Sequence, residues 1–122
     1  MTVYLLPEDP VFPPVADAEP DGLIAVGGDL TPERLLEAYA SEIFPWYRYK
    51  KQIYWYSPDP RMVLFPREFK IADSLGRVMR SGRYKVKTDQ RFEEVIRACA
   101  AAKRPDQPGS WISKSFIEAY IE

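Results

Sequence analysis

The stretch Leu23-Ile24-Ala25-Val26-Gly27-Gly28-Asp29-Leu30-Thr31-Pro32 carries the reading of the fold. Four apolar residues run into a Gly-Gly-Asp turn. Thr31 then offers an N-cap hydroxyl, and Pro32 is preset for the first helical position. A helix is therefore expected from this point, with Leu35, Leu36, Tyr39 and Ile43 recurring at helical spacing. Pro45 restrains Phe44 to an extended conformation, so the helix should end at about Ile43. The glycine turn superficially resembles a phosphate-binding loop, because N–H groups at a helix start attract anions. It lacks both Gly-Lys-Ser/Thr and a spaced Gly-x-Gly-x-x-Gly, and Asp29 would repel a phosphate, so it reads as a structural tight turn.

Upstream, residues 1–22 hold five of the twelve prolines, which predicts an extended arm laid over a surface and not a helix. Downstream, Ile53 to Tyr56 and Met62 to Phe65 read as short strands bounded by Ser57-Pro58-Asp59-Pro60 and by Pro66. A helix should follow, with Ile71, Leu75, Val78 and Met79 as its apolar stripe, Arg77 and Arg80 off that stripe, and Gly82 ending it. Tyr84, Val86 and Thr88 alternate with Lys85 and Lys87, a strand pattern that puts the lysines opposite the apolar side. Phe92, Val95, Ile96 and Cys99 mark another helix, with Cys99 expected as a small buried hydrophobe. After a polar loop from Lys103 to Ser110 comes Trp111, and Ser113 can cap a last helix burying Phe116, Ile117, Tyr120 and Ile121. That helix offers about nine residues while its stripe is still in progress, so the sequence looks cut.

The chain has 122 residues, is 46% hydrophobic and is 14% aromatic, enough for an ordinary globular core. No apolar run approaches the roughly 18 residues of a membrane span, and the start lacks a signal peptide's basic and apolar regions, which together suggest a cytoplasmic protein. A single cysteine excludes an internal disulfide and a multi-cysteine metal cluster. The absence of histidine removes Ser-His and Cys-His nucleophile systems and the usual zinc sites.

The net charge of −1 hides an asymmetry: residues 1–45 carry nine acids and one base, whereas residues 46–104 carry fifteen bases and six acids. A basic middle segment suggests a surface facing a polyanion, with a merely solvated face as the competing reading. Phe44-Pro45-Trp46-Tyr47 and Tyr54-Trp55-Tyr56 concentrate large rings around prolines in irregular or short elements. Beside a positive surface, such rings suit stacking on the bases of a single-stranded RNA end, and core packing is the alternative for each tryptophan.

Four motifs occur in an order that resembles the leucyl/phenylalanyl-tRNA–protein transferases. They are Asp21 to Leu30 (DGLIAVGGDL), Ile43-Phe44-Pro45-Trp46-Tyr47, Trp55-Tyr56-Ser57-Pro58-Asp59-Pro60-Arg61, and Trp111-Ile112-Ser113 with Glu118-Ala119-Tyr120. The resemblance implies an α+β chain. A small amino-terminal α/β domain at residues 1–60 would be followed by the first part of a GNAT-like acetyltransferase domain at residues 61–122, truncated. It implies a monomeric enzyme that takes Leu or Phe from Leu-tRNA or Phe-tRNA and transfers it to acceptor proteins with N-terminal Arg or Lys, marking them for degradation. No metal or organic cofactor, no DNA and no membrane would take part.

By position, Trp46 and Trp111 would stack on the aminoacyl-adenosine end, with Tyr39 and Tyr120 nearby. Arg77 and Arg80 would hold the acceptor stem, and Arg83, Lys85 and Lys87 would extend that surface. The family's proton-transfer residues and most of its side-chain pocket would lie beyond residue 122, which implies no catalytic residue in this chain and no activity for it alone. The chemistry is attack of an α-amine on an activated ester, where positioning can supply much of the acceleration. A non-catalytic module that binds the 3′ end of tRNA is the alternative reading.

Overall fold

The computed structural model describes residues 2–122. In chain order the elements are β1 (Tyr4–Leu6), β2 (Leu23–Gly27), α1 (Pro32–Ala40), β3 (Phe44–Tyr49), β4 (Gln52–Tyr56), α2 (Asp73–Arg80), α3 (Phe92–Ala101) and α4 (Lys114–Ile121). The chain is thus mixed α/β, with one four-stranded sheet and four α-helices among the described residues. It divides into two compact units: residues up to 59 together with 92–122, and residues 60–91.

In the first unit the strand order is β1-β2-β4-β3; β1 runs parallel to β2 and the other pairs are antiparallel. The proline-rich arm does more than lie over a surface, since Tyr4 to Leu6 pair with Ala25 to Gly27 as an edge strand. Thr31 is the N-cap of α1: its side chain accepts from the Arg34 N–H, and Pro32 opens the helix. The helix stops at Ala40, earlier than the expected Ile43. Glu42 turns left-handed at φ 62°, its N–H reaches the Tyr39 carbonyl, and the Ile43 N–H reaches the Ala38 carbonyl at 2.8 Å. This is a Schellman-type ending, which satisfies the last carbonyls and drives Ile43 into the core. The buried side of α1 is Arg34, Leu35 and Ala38, while Leu36 and Tyr39 face outward.

The core gathers Leu6, Ile24, Ala25, Leu35, Ala38, Ile43, Ile53, Trp55 and Phe116, so a side chain of α4 packs into the core of the sheet. In α4, Phe116 and Ile117 are buried as expected, but Ile121 is exposed and Tyr120 only partly covered. Ser113 occupies the N-cap position without a capping hydrogen bond from its side chain.

Two family-like motifs have a packing origin. Gly22, at φ 91°, lies so close to Pro58 that a Cβ would stand 2.6 Å from the Pro58 Cα. The Ser57 N–H donates to the Gly22 carbonyl at 2.7 Å beside it. Thus Asp21-Gly22 and Ser57-Pro58 are two sides of one contact, where a side chain has no room.

The second unit departs from the sequence reading. Met62 to Phe65 form no strand, and neither do Tyr84 to Thr88. A strand needs a partner for its N–H and C=O groups, and no described segment pairs with either stretch. Met62 and Val86 are almost fully exposed. Helix α2 forms as expected, yet Ile71, Leu75, Val78 and Met79 all remain exposed. Cys99, on α3 in the first unit, is exposed and not the buried hydrophobe that its helical position suggests.

Candidate nucleic-acid interface

Trp46 owes its orientation to a β-bulge. Pro45 pairs with Trp55 and Tyr47 with Tyr54, so Trp46 is the extra residue of β3. A bulge of this kind re-aims a side chain. Pro45 is buried, as are Ile53 and Trp55, whereas Trp46 is 44% exposed with its ring edge-on to Tyr56 at 5.1 Å. The Trp55 indole instead donates to the Gly27 carbonyl at 2.8 Å and is fully buried. Of the two aromatic clusters, one tryptophan is therefore core and the other surface. Burial and the hydrogen bond with Tyr47 push the Tyr56 hydroxyl well above the ordinary tyrosine pKa.

Trp111 emerges from the polar loop, 41% exposed, with one edge against Phe116 at 5.7 Å. Phe116 is anchored in the core, so the partly exposed indole rests against a fixed neighbour. Tyr39 of α1 and Tyr120 of α4 meet through their hydroxyls at 2.7 Å, with rings perpendicular and 6.2 Å apart. Burial and the bond to Tyr39 raise the Tyr120 pKa far above its ordinary value. One proton serves the contact between the two oxygens, which leaves the other hydroxyl free to donate to a ligand oxygen. The four aromatic residues singled out in the sequence thus all belong to the first unit, and Tyr39 and Tyr120 are brought into direct contact.

The basic residues singled out belong to the second unit. Arg77 and Arg80 lie in the last turn of α2 and are exposed, as are Arg83, Lys85 and Lys87. Because residues 84–88 form no strand, Lys85 and Lys87 do not share a defined sheet face; Tyr84 and Val86 are equally open to solvent. Among the described residues no group of three or more His, Cys, Asp and Glu side chains could hold a metal ion, and no helix is long and apolar enough to cross a membrane.

Arg34 is the residue that sequence reading passed over. It is the only base in residues 1–45 and is completely buried. Its Nη2 donates to the Pro7 and Glu8 carbonyls at 2.8 and 2.9 Å, and its Nε to Asp29 at 3.2 Å. Burial works against ionisation of Asp29, but hydrogen bonds from Thr31 and Arg34 outweigh it and lower its pKa. Gly28, at φ 69°, leaves room for the guanidinium, since a Cβ there would meet the Arg34 Nε at 3.0 Å. The Gly-Gly-Asp turn is accordingly a seat for an arginine, in keeping with its structural reading. A lone base three residues after an N-cap in an acidic segment was the available signal.

The family model for the leucyl/phenylalanyl-tRNA protein transferase N-terminal domain matches residues 28–59, and that for leucyl/phenylalanyl-tRNA protein transferase matches residues 63–122. Curated relatives named leucyl/phenylalanyl-tRNA–protein transferase agree with nearly the whole chain. That of Anaeromyxobacter dehalogenans strain 2CP-C is 54% identical over 99% of this chain and 52% of its own length. That of Nitrosospira multiformis is 53% identical over 94% of this chain and 50% of its own length. That of Maridesulfovibrio salexigens is 52% identical over 100% of this chain and 51% of its own length. The chain spans about half the length of the curated relatives it matches. With both family models placed in order and this identity from end to end, the chain belongs to the leucyl/phenylalanyl-tRNA–protein transferase family.

Proposed function

We propose that this chain supplies the aminoacyl-adenosine-binding part of a cytoplasmic, monomeric aminoacyltransferase. The enzyme moves Leu or Phe from aminoacyl-tRNA to proteins with N-terminal Arg or Lys and so marks them for degradation. Residues 1–60 are its amino-terminal domain, and residues 61–122 begin a GNAT-like domain. The observation that carries this reading is the contrast among the tryptophans: Trp46 and Trp111 are partly exposed, whereas Trp55 is fully buried. A partly exposed indole on a fixed support suits a base, and the Tyr39–Tyr120 pair offers a hydroxyl donor for a ribose or ester oxygen. Holding the ester in place for an incoming amine supplies much of the catalysis, because the ester is already activated.

Replacing either Trp46 or Trp111 by alanine should weaken an aminoacyl-adenosine analogue by about 1 to 3 kcal/mol, with little change in the thermal transition. A titration beside a thermal melt makes the comparison. Loss of the folded state in both variants, instead of loss of the ligand, would mean that these rings are packing residues.

The phosphate contacts of the acceptor stem fall to Arg77, Arg80, Arg83, Lys85 and Lys87. With about five such contacts, tRNA affinity should drop roughly a hundredfold or more between 50 and 200 mM salt. Measuring the salt slope for the unaltered chain and for Arg77→Ala with Arg80→Ala checks this. An unchanged slope would remove the basic segment from the interface.

A further inference from the structure

The β3–β4 hairpin carries a second aromatic surface beyond Trp46. Tyr47 and Tyr54 face each other across the strands with their rings stacked, 4.9 Å apart and 13° from parallel. Tyr49 stands edge-on to Tyr54 at 6.4 Å and is 55% exposed. Alternation along β4 sends Ile53 and Trp55 into the core, so these tyrosines occupy the opposite side of the sheet. At the tip, Lys50 and Lys51 form the two-residue turn, and the Lys50 ammonium lies 5.4 Å from the centre of the Tyr49 ring.

Residues 44–58 include Arg48, Lys50 and Lys51 and no acid, although the preceding 43 residues carry nine acids and one base. None of the three cations makes an ion pair among the described residues. Arg48 lies opposite Ile53 and so off the tyrosine side, but Lys50 and Lys51, at the end of the row of rings, complement a chain that alternates flat bases with phosphates. An acidic peptide would use the charges but leave the rings idle. Trp46 and Tyr49 are three residues apart on one strand, roughly 10 Å at about 3.4 Å per residue. Aromatic sheet faces of this size stack about two or three bases.

We propose that this hairpin face, with Tyr47, Tyr49 and Tyr54 as the platform and Lys50 and Lys51 as phosphate contacts, binds the unpaired nucleotides preceding the base held by Trp46. The proposal rests on the reading of Trp46 given above. It adds a strand-holding surface on the first unit, separate from the basic residues of the second. It also accounts for an unfavourable turn: Lys50 and Lys51 both have positive φ, 46° and 68°, where Asn-Gly is the preferred pair.

That preference supplies the test. Lys50→Asn with Lys51→Gly removes both charges while suiting the turn better, so the thermal midpoint should hold or rise. The probes are adenosine monophosphate and a four-nucleotide oligoribonucleotide ending in adenosine, titrated into the 122-residue chain. The oligonucleotide should bind at least tenfold more tightly than the mononucleotide. Lys50→Asn with Lys51→Gly, and separately Tyr49→Leu, should abolish that advantage and leave mononucleotide binding unchanged. Equal affinity for the two probes, an advantage that survives in both hairpin variants, or one lost only with Arg77→Ala and Arg80→Ala overturns the proposal. So does a polyglutamate peptide that binds the hairpin as tightly as the oligonucleotide. Failure of the mononucleotide to bind, with hairpin-dependent oligonucleotide binding intact, sinks the Trp46 reading and leaves the hairpin as a strand-binding surface by itself.

Discussion

Trp55→Ala should unfold the first unit. The indole is wholly buried in the core, packs edge-on against Phe12 at 4.9 Å, and donates to the Gly27 carbonyl at 2.8 Å. Truncating a tryptophan in such a place costs about 3 to 5 kcal/mol for lost burial and the cavity left behind. The stranded Gly27 carbonyl adds about 1 to 3 kcal/mol if water cannot reach it. Domains of ordinary stability hold only about 5 to 15 kcal/mol in total, so a marginal chain would lose its cooperative transition. Urea unfolding followed by circular dichroism makes the measurement. If Trp55→Ala keeps a midpoint close to that of Trp46→Ala, the distinction between core and surface tryptophans fails.

Arg34→Met should cost about 1.5 to 3 kcal/mol for each of its charge-assisted hydrogen bonds that water does not replace. The change leaves the Pro7 and Glu8 carbonyls without their guanidinium donor and removes the cation beside Asp29. Arg34→Lys should rescue little, because a single ammonium cannot reproduce the fork that reaches two backbone carbonyls and a carboxylate together. Asp29→Asn can keep an acceptor for the Arg34 Nε but removes the charge facing a fully buried guanidinium, so it should destabilise the chain as well. The effect should begin at the arm, because Arg34 ties residues 7 and 8 down just after β1. Limited proteolysis should then cut the arm of the Arg34→Met protein under conditions that leave the unaltered chain whole. An arm that stays protected in a variant of undiminished stability would show that Arg34 is not the tie.

Local chemistry was legible from the sequence. The Thr31-Pro32 start of α1, the strand over Ile53 to Tyr56, the helices at α2, α3 and α4, and the structural character of Gly27-Gly28 each follow from backbone preferences within a few residues. The family was legible as well, because its motifs are short and ordered along the chain.

What the sequence could not decide was whatever depends on a partner distant in the chain. Residues 62–65 and 84–88 have the alternation or the branching of strands, but nothing described lies beside them to pair with. The proline-rich arm looks irregular, yet Tyr4 to Leu6 become a strand because β2 offers a free edge. Trp46 and Trp55 are equally aromatic in sequence; a one-residue bulge sends one outward and a two-residue alternation sends the other into the core. Arg34 carries a charge that belongs at a surface by itself; its burial rests on nearby Asp29 and on the carbonyls of Pro7 and Glu8, more than twenty residues away. The sequence by itself determined the local elements and the kinship, since both are written in contiguous residues. The tertiary structure decided burial, pairing and the direction of each ring, because those are set by contacts between segments that the chain order keeps apart.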